Sequence, residues 1–119
     1  MIKSVLLWLV VAAGLLAGAE ARAHAVLVDS SPPADAEVVG TKVEFHLRYN
    51  SRIDARRSRL SLKGPGGVRA LPPAQGAGED ELVARAEGLT PGRYTLVWDV
   101  LSVDGHVSRG QVPFIVITP

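Results

Sequence analysis

The sequence predicts an all-β protein, an immunoglobulin-like or Greek-key β-sandwich (a cupredoxin-like barrel) preceded by a signal-peptide helix. Three observations predict it. Short runs alternate apolar and polar residues, the mark of strands with one buried and one wet face. Clusters of Gly, Pro, Asn and Asp separate those runs. After residue 23 no stretch carries the periodicity of an amphipathic helix.

The elements follow in order. Ala25 to Asp29 reads as a first strand, ended by Ser30-Ser31-Pro32-Pro33 because proline cannot donate to a ladder. Val43, Phe45 and Leu47 alternate with Lys42, Glu44, His46 and Arg48, so a second strand buries one face. Leu60 and Leu62 repeat the pattern. Gly64-Pro65-Gly66-Gly67 reads as a turn, Val68 to Leu71 as a short strand, and Pro72 to Asp80 as a loop. Leu82, Ala84 and Ala86 form a weaker strand. After Pro91-Gly92, Tyr94, Leu96, Trp98 and Val100 share one parity and face the core. The last strand runs from Gln111 to Thr118 and buries Val112, Phe114 and Val116. About seven short strands in one domain suit a sandwich.

Residues 1–23 read as a secretory signal. Lys3 supplies the positive start, Val5 to Ala19 the apolar segment, and Ala21-Arg22-Ala23 the small-x-small cleavage site. The apolar run is short for a membrane span of about 20 residues, so cleavage is expected over retention as an anchor. Cleavage after Ala23 makes His24 the first residue of an exported domain covering 24–119, not embedded in a membrane.

The chain has 13 basic and 12 acidic residues; losing Lys3, Arg22 and Glu20 leaves eleven of each. A neutral domain gives no reason to expect nucleic acid or an anionic membrane as partner. There is no cysteine, and the one methionine is Met1. The domain after cleavage therefore holds no sulfur. That excludes disulfides, blue-copper and iron–sulfur centres, and thiolate-bound Cu(I) or zinc.

The chemistry concentrates in three residues. A histidine at a new N-terminus offers two nitrogens to one ion, the α-amine and the imidazole. The amine, with an ordinary pKa of about 7.7–8.0, loses its proton to a metal at modest cost. Asp104-Gly105-His106 would supply the rest. If the chain is extended there, Asp104 and His106 share a face, and Gly105 keeps the space between them open and permits a bend. Three nitrogens and one oxygen suit Cu(II), first in affinity among the divalent first-row metals. Asp104 equally reads as a turn residue capping local N–H groups, and both roles fit one carboxylate, an oxygen for each. His46 reads as a solvated strand histidine with Glu44 on the same face, and a weak second metal site there is open. Asp29 and Glu37 are candidates for outer partners of the metal ligands. Arg52, Arg56, Arg57 and Arg59 read as a solvated edge rather than a docking patch.

The segments His24-Ala25-Val26-Leu27-Val28-Asp29-Ser30-Ser31-Pro32-Pro33-Ala34 and Tyr94-Thr95-Leu96-Val97-Trp98-Asp99-Val100-Leu101-Ser102-Val103-Asp104-Gly105-His106, followed by Gly110 and Phe114, carry a resemblance. The chain resembles the CopC family of periplasmic copper-resistance proteins across nearly all of residues 24–119. The resemblance implies a copper-binding β-sandwich that holds one Cu(II) ion through His24, Asp104 and His106. It also implies an inner-membrane copper-uptake protein of the CopD type as partner. Some members hold Cu(I) in a methionine-rich loop; this sequence has none, which leaves a Cu(II)-only member.

Other functions compete. Secreted copper oxygenases also use an N-terminal histidine with a second histidine, but need a broad substrate face, and Asp104 would fill a position that oxygen needs. A Ser102–His106–Asp104 hydrolase is disfavoured because residues this close in sequence do not readily form the required hydrogen-bond chain. A metal-free immunoglobulin-like interaction module is the third reading. A copper carrier or buffer without catalytic activity is the expectation.

Overall fold

The computed structural model describes residues 25–119. Residues 1–23, expected to be a signal peptide, and His24 lie outside the described residues. Two sheets face each other, as expected for a sandwich. One has four strands in the order β1 (Leu27–Ser31), β3 (Val43–Tyr49), β7 (Glu81–Ala86), β6 (Ala74–Gln75). The other has five, in the order β2 (Ala36–Val39), β9 (Val107–Ile117), β8 (Gly92–Leu101), β4 (Arg59–Gly64), β5 (Gly67–Leu71). Among the described residues no helix is long and apolar enough to cross a membrane.

The period-two runs become the core. Phe45, Leu47 and Tyr49 of β3 and Leu82, Ala84 and Ala86 of β7 are buried on one layer. Leu60 and Leu62, then Tyr94, Leu96, Trp98 and Val100, then Val112, Phe114 and Val116 are buried on the other. Aromatic pairs join the layers. Phe45 meets Phe114 edge-on with centroids 5.5 Å apart, and Tyr49 meets Trp98 edge-on at 5.3 Å. This geometry sets the positive edge of one ring against the negative face of the other. Gly110 lies opposite Trp98 in the β8–β9 ladder, and a Cβ there would overlap the indole.

Four elements differ from the sequence reading. The first strand runs from Leu27 to Ser31, because Ser30 and Ser31 still pair with Leu47 and His46 after a register shift between Leu27 and Asp29. Ala36–Val39 is a strand, paired in parallel with Ala36 opposite Phe114 and Val39 opposite Ile117. The Pro72 to Asp80 loop contains the two-residue β6. Finally, β9 begins at Val107 instead of Gln111, with Leu101 opposite Val107. That last difference makes residues 102–106 the tip of a long, tight hairpin.

Candidate metal centre

The β8–β9 hairpin positions Asp104 and His106. The Ser102 N–H donates to the His106 carbonyl at 2.9 Å, and the Gly105 N–H to the Ser102 carbonyl at 2.9 Å. Gly105 has φ +95°, the left-handed region that glycine enters without a steric cost. The tip is thus a turn and not an extended segment. Turn closure, not strand parity, brings the two side chains together.

Asp104 is held from several sides. Its Oδ1 accepts from the Ser102 hydroxyl and from the His106 N–H at 3.3 Å, and stands 3.2 Å from His106 Nδ1. Ser102 is buried, and its hydroxyl also lies 3.1 Å from the His106 carbonyl. The Ser102 hydrogen bond, then the His106 contacts, hold the Asp104 carboxyl below its usual range. These contacts all fall on Oδ1. A neutral His106 that donates from Nδ1 to Asp104 would keep its lone pair on Nε2, the tautomer a metal needs. The turn-capping role of Asp104 is therefore present, and it is compatible with ligation through the second oxygen.

The base of the tip is tied to one nearby segment. Ile53 bridges Ser102, and the Val103 N–H donates to the Arg52 carbonyl at 3.1 Å. A 3-10 turn at Ala55–Arg57, capped by Asp54, follows. Leu101 donates its N–H to the buried Ser58 hydroxyl at 3.1 Å and accepts from the Asp54 N–H at 2.9 Å. The same segment reaches the N-terminal strand: Asn50 donates its N–H to the Val26 carbonyl at 3.0 Å, and its Oδ1 accepts from the Val26 N–H at 2.8 Å. Residues 50–53 thus touch both Val26, two positions after His24, and Val103, next to Asp104. Nothing in the sequence singled out Asn50; its main-chain and side-chain contacts with Val26 reveal it.

His46 sits elsewhere, on the outer face of the four-stranded sheet. Its Nε2 lies 2.8 Å from Glu44 Oε1 and its Nδ1 lies 3.1 Å from Glu81 Oε1. The Glu81 hydrogen bond, followed by Glu44, raises its pKa above 6.5 despite some desolvation. Glu81 is a partner that sequence spacing could not supply, since it comes from the neighbouring strand. Asp29 pairs with Arg48 across the same face, and Glu37 lies on β2 opposite Ile115. Of the arginines, Arg52 pairs with Glu79 at 2.9 Å and Arg57 with Asp54 at 3.7 Å, both exposed. Among the described residues no group of three or more His, Cys, Asp or Glu side chains is arranged to hold a metal. Asp104 and His106 would supply two ligands at most, and a closed site would need more from outside that set.

The CopC domain family model matches residues 27–117. The chain belongs to the CopC family. Similar proteins span most of it. Protein YobA of Escherichia coli K12 is 31% identical over 96 residues, 77% of each chain. Copper resistance protein C of Pseudomonas syringae pv. tomato is 32% identical over 111 residues, 87% of this chain and 88% of its own. The crystal structure of CopC from Methylosinus trichosporium OB3b superposes with a TM-score of 0.72 at 30% identity, covering 80% of this chain and 95% of that one. CopC membership agrees with the expected sandwich and ties the chain to copper.

Proposed function

We propose that this chain is a periplasmic Cu(II) carrier or buffer that binds one ion and performs no catalysis. Removal of residues 1–23 would free the amine of His24, and that amine, its imidazole, Asp104 and His106 would form the site. The observation that carries this reading is the shared anchorage of Val26 and Val103 on residues 50–53. It brings the chain leading from His24 and the hairpin tip to a single support. The donor set adds to it: nitrogen and carboxylate oxygen, with no sulfur in 24–119, favour Cu(II) over Cu(I). The ion is cargo, and a CopD-type membrane protein would receive it.

Calorimetry and electron paramagnetic resonance on protein beginning at His24 test the proposal. One Cu(II) per chain should bind with a nitrogen-rich axial spectrum and quench Trp98, the sole tryptophan after residue 23. Acetylating the His24 amine should weaken binding sharply. Unchanged affinity after acetylation would refute the ligand set.

A further inference from the structure

Asn50 is no part of the proposed ligand set, yet it grips the strand that leads to it. Its main chain and its side chain each hydrogen-bond Val26, at 3.0 and 2.8 Å, closing a two-point clasp on one residue. The clasp lies where the β1–β3 ladder runs out, since Leu27–Tyr49 is its last pair. The ladder also shifts register just beyond Leu27, so β1 enters on weak pairing. Asn50 Oδ1 stands in for the strand acceptor missing at this point. Ala25, one residue further back, is buried in the core, while Val26 is exposed. The next residues after Asn50, Ser51 to Ile53, reach the hairpin tip through Val103 and Ser102.

We infer that Asn50 is a positioning residue for the N-terminal half of the copper site. It holds Val26 and so fixes the direction in which the chain leaves the core toward His24. This inference rests on the Cu(II) reading above. Without the clasp, residues 24–26 would have to be ordered when copper binds, and ordering backbone carries an entropy cost. With it, that cost falls on folding instead, because Val26 is already held. The acceptor, not the size of the side chain, is what the position requires.

The test compares wild type, Asn50→Ala, Asn50→Asp and His106→Ala, each beginning at His24. Cu(II) affinity is read by competition with a chelator, the ligand field by electron paramagnetic resonance, and the copper-free fold by thermal melting. Loss of one hydrogen bond predicts about tenfold weaker binding for Asn50→Ala. Its spectrum should be heterogeneous and its copper-free melting nearly unchanged. Asn50→Asp keeps an acceptor at the same place and should bind at least as tightly as wild type. Wild-type affinity in Asn50→Ala, or equal losses in Asn50→Ala and Asn50→Asp, would overturn the inference. Should Asn50→Ala fail to fold, hydrogen exchange in wild type decides: the Val26 amide must be protected, and fast exchange there overturns the clasp. His106→Ala separates the two levels. Full copper binding in that variant would sink the Cu(II) site itself, whatever Asn50 does.

Discussion

Two histidines in this molecule each lie beside a carboxylate, and the surroundings give them opposite characters. At the hairpin tip the carboxylate is the satisfied partner. Asp104 is oriented by the Ser102 hydroxyl and the His106 N–H and is held in its charged form. On the sheet face the imidazole is the satisfied partner. Both ring nitrogens of His46 meet glutamates, and its protonated form is favoured. A protonated ring has no lone pair to offer a metal. A histidine with two acidic neighbours is therefore not by itself a better metal site than one with a single, well-held aspartate.

The largest expected effect breaks or keeps this contrast directly. His106→Ala should lower Cu(II) affinity by more than about a hundredfold, beyond the loss that outer partners of a site typically cause. His46→Ala should leave it within about twofold, since that residue contributes no ligand. Chelator competition measures both, and similar losses would erase the distinction.

Ser102 sharpens it at the next level. Ser102→Ala removes the buried donor that orients Asp104 and leaves every proposed ligand residue in place. Affinity should fall about tenfold, the low end for removing an outer partner. The melting temperature of the copper-free protein reports separately on the fold. An effect as large as that of His106→Ala would mean that the tip collapses without this hydroxyl.

The smallest effect belongs to His46 and depends on pH. Its folded pKa is raised above 6.5, so its contribution to stability is fully present below pH 6.5. The contribution is lost as pH rises through the folded value. The ring is 43% exposed, so water screens the pair, and less than about 1 kcal/mol is expected. Wild type should out-melt His46→Gln under acid conditions and converge with it under alkaline ones. A gap that widens with rising pH would reverse the assignment of charge.

The strands β3, β4, β7 and β8 were legible because each buries one face through consecutive alternate residues, as Tyr94, Leu96, Trp98 and Val100 do. Ala36–Val39 was not legible, because its pairing is with residues nearly eighty positions away and its own pattern is weak. The early start of β9 was hidden for another reason. Ser108, Arg109 and Gly110 pair through their backbones while carrying no apolar alternation. That hidden extension is what closes the tip. Asp104 and His106 were therefore recognised as a pair from their spacing, and a turn role for Asp104 was legible, while the strand pairing up to Val107 that closes the turn was not. The contact of Glu81 with His46 and the clasp of Asn50 on Val26 depend on which strands lie side by side, and spacing along the chain carries no record of that.

The most direct test follows amide signals while substoichiometric Cu(II) is added to isotopically labelled protein beginning at His24. Paramagnetic broadening should appear first at Val26, Asn50 and Val103 to Val107, and residues 44–48 of β3 should stay sharp. Broadening centred on His46, with the hairpin tip unaffected, would contradict the account.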